Sequence, residues 1–216
     1  MLNLKEITEE FIRIKLSDFA SETDPDVSTV QAIADKSMQL DKREEQVLEF
    51  LRYYKVIRYF PRENSRNIAR RIVEFADEKR PKGLDRNMAL IISEFKKLEE
   101  RIQPFAPATK SGKERKVTSL TSKALWCCYP EDIPIFDDHA ERALQVISRI
   151  CHIFPEPGQD KYKRFVDVWL QLYRRVEPVI DQADLKGFPY KIRVFDGLLW
   201  FLGKPEFDMR RVDQHK

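Results

Sequence analysis

The chain has 216 residues, enough for one sizeable core or two small helical lobes. Its 39 Lys and Arg against 36 Asp and Glu leave a net charge of only +3, which neither demands nor excludes nucleic acid, so the location of charge must decide. Cys127, Cys128 and Cys151 are too few and wrongly spaced for a zinc site, a cluster or a disulfide framework, and no apolar run has membrane-spanning length. With no signal-peptide pattern either, the expectation is a cytoplasmic, monomeric protein that needs no metal, cofactor or membrane.

Six glycines, long periodic segments and little period-two alternation predict an all-α chain. Leu4, Ile7, Phe11 and Ile14 give a first amphipathic helix, broken by the polar residues 21–26, and a short helix follows over 27–34. Over residues 41–60, Val47, Phe50, Leu51, Tyr54 and Ile57 keep helical spacing, with Arg52, Lys55 and Arg58 off the stripe, and Pro61 ends the helix. Asn64 or Ser65 can cap the next, whose buried face is Ile68, Ala69, Ile72, Phe75 and Ala76. Leu84, Met88, Ile91, Ile92, Phe95, Leu98 and Ile102 form the cleanest stripe.

Residues 103–117 then bring Pro104, Pro107, Gly112 and a basic cluster, Lys110, Lys113, Arg115 and Lys116, to the start of another helix. Such a loop can hold phosphate, or it can be a solvated loop. Thr118 and Ser119 stand where an N-cap belongs, and Lys123 follows a turn later, flanked by Ser119, Leu120, Trp126 and Cys127. Apolar flanks and the positive end of a helix both disfavour an ammonium, which would free the amine as a nucleophile; the plainer alternative is a lysine that snorkels to water. After Pro130, the run Ile133-Pro134-Ile135-Phe136 is kept out of a helix by its prolines. Asp137 is the expected N-cap of a helix burying Ala140, Ala143, Leu144, Ile147, Ile150 and Cys151.

Residues 154–159 form a turn, and Phe165, Trp169, Leu172, Val176 and Val179 define a long helix with Pro178 near its end. A closing helix over 190–202 has the core stripe Ile192, Phe195, Leu199 and Leu202, with Asp196 and Trp200 expected one turn apart at its edge.

A lysine inside one helix, an apolar-Pro-apolar turn and an aspartate capping the next helix resemble the active-site segment of the helix-hairpin-helix DNA glycosylases, most closely the 8-oxoguanine glycosylases that are also lyases, in their compact prokaryotic form. The resemblance implies that Lys123 attacks the sugar C1′ of a nucleotide with a modified base and that Asp137 assists. It also implies that Cys127 and His139 line the base or phosphate site, and that Asp196 and Trp200 stand where the family carries a polar residue for the base edge and a stacking aromatic. The implied fold is two helical lobes flanking a cleft in one domain over 1–216, with lobes of 1–85 plus 190–216 and of 86–189. The implied partner is nucleic acid, specifically DNA with a modified base. One departure concerns the family's Leu-Pro-Gly-x-Gly hairpin, because that place holds Lys116-Val117-Thr118-Ser119-Leu120, with no glycine between Gly112 and Lys123. A non-catalytic module of the same fold, binding a modified base, a nucleotide or a nucleic-acid end, is therefore a second expectation.

Overall fold

The computed structural model describes residues 3–19, 25–78, 83–109, 111–113, 115–185 and 189–205. Among them all regular structure is helical. In chain order the helices are α1 (Leu4–Phe19), α2 (Pro25–Ala34), α3 (Leu40–Tyr53), α4 (Arg62–Asp77), α5 (Met88–Ile102), α6 (Thr118–Cys128), α7 (Asp138–Ile150), α8 (Lys161–Gln182) and α9 (Lys191–Leu202). None of the described helices is long and apolar enough to cross a membrane.

The chain divides into two compact units, a contiguous one over Glu22–Ile133 and a composite one made of Met1–Ser21 with Pro134–Lys216. These boundaries differ from the expected lobes of 1–85 plus 190–216 and of 86–189. In the contiguous unit α6 packs on α2, α3, α4 and α5, so residues on both sides of position 85 share one core. Phe50, Leu51, Ile68, Ile72, Leu98 and Trp126 fill it, with the Phe50 and Trp126 rings stacked at 6.2 Å. In the composite unit α1 packs on α8 and α9, and α7 packs on both of those helices. Its core is aromatic, with Trp169 stacked on Tyr173 at 4.8 Å and Phe195 edge-on to Trp169 at 5.3 Å.

Several helix ends differ from the sequence expectation for local reasons. The stripe over 41–60 predicts one helix, yet α3 stops at Tyr53. Lys55 takes the left-handed conformation (φ 55°), its N–H donates to the Arg52 carbonyl, and the Val56 N–H donates to that of Leu51. This pair of bonds is a Schellman cap, which satisfies the last carbonyls of the helix and turns the chain away. His152 (φ 54°) closes α7 the same way, with the Ile153 N–H donating to the Ser148 carbonyl. Helix α4 begins at Arg62 with Pro61 in the cap position, where Asn64 or Ser65 was expected; Asn64 instead donates to the Phe105 carbonyl at 2.8 Å. The α5 stripe begins early, because Leu84 belongs to a turn in which Asp85 and Arg86 are both left-handed. The Asp132 carboxylate holds that turn by accepting from the Leu84 and Arg86 amides at 2.9 and 3.1 Å.

Candidate functional site

Helix α6 is buried at every position from Leu120 to Cys127, which puts protein on all its faces. Lys123 therefore has no route to water along the helix surface; it is 3% exposed and does not snorkel. The hydroxyl expected to cap α6 is used differently. Val117 occupies the cap position with no side-chain cap bond, and Ser119 Oγ instead accepts from Lys123 Nζ at 2.9 Å. The ammonium also lies 5.7 Å from the centroid of the Tyr54 ring. Tyr54 is fixed in turn, because its hydroxyl donates to the buried Asp26 carboxylate at 2.6 Å and its ring packs on Phe50 at 4.8 Å. One turn beyond the lysine, the buried Cys127 thiol donates to the Lys123 carbonyl at 3.4 Å. The ammonium is thus oriented in part by a hydroxyl and a π face.

Ser119 is the neighbour of Lys123 that helical spacing predicts; Tyr54, and Asp26 which holds it, carry no such signal in the sequence. Tyr54 falls on the apolar stripe of α3 and reads there as core. Only the Schellman turn behind it shows why its hydroxyl faces a polar partner.

In the composite unit, Pro134, Ile135 and Phe136 are buried ahead of α7. The Tyr162 hydroxyl donates to the Pro134 carbonyl at 3.3 Å, and Phe136 meets Phe165 edge-on at 5.1 Å. Burial first, and then the nearby Asp196 carboxylate, hold the Tyr162 phenol well above its ordinary pKa, so it stays a neutral donor. Asp137 caps α7 as expected, accepting from the His139 amide at 2.8 Å, and is half-buried. His139 Nδ1 lies 3.1 Å from the Gly203 carbonyl oxygen. The His139 ring stands perpendicular to that of Trp200 at 6.0 Å, and the Lys204 ammonium lies 3.8 Å from the Trp200 ring centroid. Trp200 is 45% exposed, so an aromatic face with cationic and imidazole neighbours is open to solvent in this unit.

Asp196 corrects the expected pairing with Trp200. It is 3% exposed, and both of its oxygens are engaged within the unit: Oδ1 accepts from Trp169 Nε1 at 2.9 Å and Oδ2 from the Ile135 amide at 3.3 Å. The carboxylate thus ties α8 and α9 to the segment leading into Asp137. It lies within the core, where the helical stripe suggested its edge.

Of the basic loop, Lys110 lies outside the described residues, and Lys113 and Lys116 are exposed. A turn orders the loop, with the Thr109 hydroxyl donating to the Lys113 carbonyl and Gly112 left-handed at φ 74°. The Arg115 carbonyl accepts from Gln103 Nε2 at 2.9 Å. Lys113, Arg115, Lys116, Lys123 and Cys127 belong to the contiguous unit, whereas Asp137, His139, Asp196 and Trp200 belong to the composite one. Among the described residues no group of three or more His, Cys, Asp or Glu is gathered so as to hold a metal ion. No protein-family model, curated protein or solved structure matches the chain.

Proposed function

We propose that the chain is a DNA glycosylase with lyase activity, of the helix-hairpin-helix type, that excises a modified guanine such as 8-oxoguanine. The observation that carries this reading is the burial of Lys123 on a helix enclosed on all sides, with Nζ directed by Ser119 and the Tyr54 ring. In the proposed reaction a nucleotide is flipped out of the stack and the Lys123 amine attacks C1′. The bond from C1′ to the base breaks, the base departs taking up a proton, and opening of the sugar ring leaves an imine to Lys123. Within the contiguous unit, Cys127 stands one turn from Lys123 to meet the base; for Asp137, His139 and Trp200 of the composite unit, the roles are those the resemblance implies, assisting the sugar chemistry, contacting phosphate or base, and stacking.

The test is reductive trapping. Borohydride added to protein and a duplex carrying 8-oxoguanine or an abasic site is expected to give a covalent adduct at Lys123, and Lys123→Gln to give none while still binding the duplex. An unmodified wild-type lysine after that treatment would remove the enzymatic reading. A non-catalytic module binding a modified base, nucleotide or nucleic-acid end is favoured by one observation: Asp196, placed by the resemblance at the base edge, is engaged by Trp169 and Ile135. Binding by the wild type with no turnover would establish it.

Trp200 supplies an independent prediction. Because it is 45% exposed, Trp200→Ala is expected to cost less stability than the roughly 3–5 kcal/mol of a fully buried aromatic. If its face stacks on a base, affinity should fall by about 1–3 kcal/mol. Melting temperature and duplex affinity of the same variant separate the two effects, and a large loss of stability with unchanged affinity would take Trp200 out of the site.

A further inference from the structure

In the contiguous unit four described surface arginines are each paired with an acid. Arg52 meets Glu45 at 2.7 Å, Arg70 meets Glu44 at 3.0 Å, Arg71 meets Glu74 at 2.8 Å and Arg101 meets Glu78 at 2.6 Å. Arg58 and Arg115 do not follow this pattern. Their guanidinium carbons lie 4.4 and 5.6 Å from the centroid of a single ring, that of Tyr59, and among the described residues neither meets a carboxylate. Tyr59 is 62% exposed, so this cluster faces solvent. Arg115 Nε is shielded from water and donates to no acceptor among the described residues, leaving the rest of its guanidinium to meet a partner.

Chain geometry explains how residues so far apart in sequence converge. The Schellman turn at Lys55 ends α3 early and brings Arg58 and Tyr59 onto a non-helical segment, while the bond from Gln103 to the Arg115 carbonyl fixes the end of the basic loop. A guanidinium stacked on an aromatic face is held in place by the ring, and its N–H groups, which lie in the guanidinium plane, stay available at the edge. That is the donor geometry a phosphate takes in bidentate fashion. Two like charges held against one ring, with no carboxylate against either among the described residues, create a local positive field that an anionic polymer would relieve.

We propose that Tyr59 organises Arg58 and Arg115 into a docking site for the phosphodiester backbone of duplex DNA, flanked by Lys113 and Lys116. The inference rests on the nucleic-acid partner of the proposed function, but it does not depend on the chemistry at Lys123. The occupant is a nucleic-acid backbone and not an acidic protein surface because exposed Lys113 and Lys116 add positive charge to the two arginines and outweigh Glu114, the one acid in the run 113–116, as a polymer of phosphates requires.

The test uses the full-length protein and a short undamaged duplex, with affinity measured across a series of salt concentrations. Each phosphate contact contributes about 0.9 to the slope of log affinity against log salt. The Arg58→Gln/Arg115→Gln double variant is expected to lower that slope by about 1.8, and Tyr59→Leu to lower it in the same direction because the arginines lose their platform. Arg58 and Tyr59 are exposed, so the melting temperatures of Arg58→Gln and Tyr59→Leu should hold; Arg115 is half-buried, and the melting temperature of the double variant is measured beside its slope. An unchanged slope in the double variant overturns the proposal, as does an acidic peptide that displaces the duplex from the wild type with equal potency. Slope loss in the variants alongside a wild type that forms no borohydride adduct would leave this site standing and remove the glycosylase reading. An adduct at Lys123 with an unchanged slope would do the reverse.

Discussion

Replacing Gly203 by alanine is expected to destabilise the composite unit by more than the roughly 1–3 kcal/mol of ordinary overpacking. The reason is space and not backbone conformation, since Gly203 caps α9 at an unremarkable φ of −85°. A Cβ built there would stand 1.8 Å from the His139 carbonyl oxygen, 2.4 Å from its carbon and 2.9 Å from its Cα. All three are backbone atoms in the first turn of α7, which the Asp137 cap and the contact between His139 Nδ1 and the Gly203 carbonyl hold in register. No side chain can swing aside, so α7 and α9 must separate. Denaturant unfolding would measure the loss, and a variant within about 0.5 kcal/mol of wild type would show that the two helices do not cross this closely. If the protein still folds, His139 and Trp200 should be displaced with the helices, and duplex affinity should fall with stability.

Asp77→Ala is expected to cost about 3 kcal/mol, at the lower end of the 3–5 kcal/mol for stranding one member of a buried ion pair. Arg43 is the member left behind. Its side chain is 4% exposed, whereas that of Asp77 is 38% exposed and water can partly replace the lost acid, which sets the lower end. The guanidinium donates to both Asp77 oxygens at 2.8 Å, and through Nε and Nη2 to the Ala32 and Ile33 carbonyls at 3.1 and 2.8 Å. It therefore closes the C-terminal end of α2 and joins it to the end of α4 from a position on α3. A double-mutant cycle with Arg43→Met would separate the stranded charge from the lost carbonyl partners. A cost below about 1 kcal/mol for Asp77→Ala would place the pair with ordinary surface salt bridges.

Helical character was legible wherever an apolar stripe was long. Ile91, Phe95, Leu98 and Ile102 mark α5, and Phe165, Trp169, Leu172 and Val176 mark α8; all are buried. Ends were less legible, because periodicity says nothing about a left-handed residue such as Lys55 or His152 that stops a helix whose stripe could continue. Within the candidate site, the Asp137 cap could be read from residue type and position, since capping is a local interaction. Around Lys123, Ser119 one turn earlier could be read as well, whereas Tyr54 could not, because it comes from the end of α3 and is held there by Asp26 of α2. Asp196 was misplaced for a related reason: its partners Trp169 and Ile135 lie on other segments, and an acid beside a helical stripe reads as surface until a buried indole N–H claims it. Arg58 and Arg115 gave no joint signal, being brought together only by the turn after α3.

The division of the chain has a consequence for the order of events during synthesis. The contiguous unit is a single run, and all its helices can assemble as they leave the ribosome. The composite unit cannot, because α1 emerges first and its Leu4, Phe11 and Ile12 are buried in the finished protein, where α1 packs on α8 and α9. Those apolar side chains must wait, through translation of more than half the sequence, for surfaces that do not yet exist. During that interval the nascent N-terminal helix is the segment with most reason to seek a chaperone, and destabilising its eventual partners would lengthen the wait.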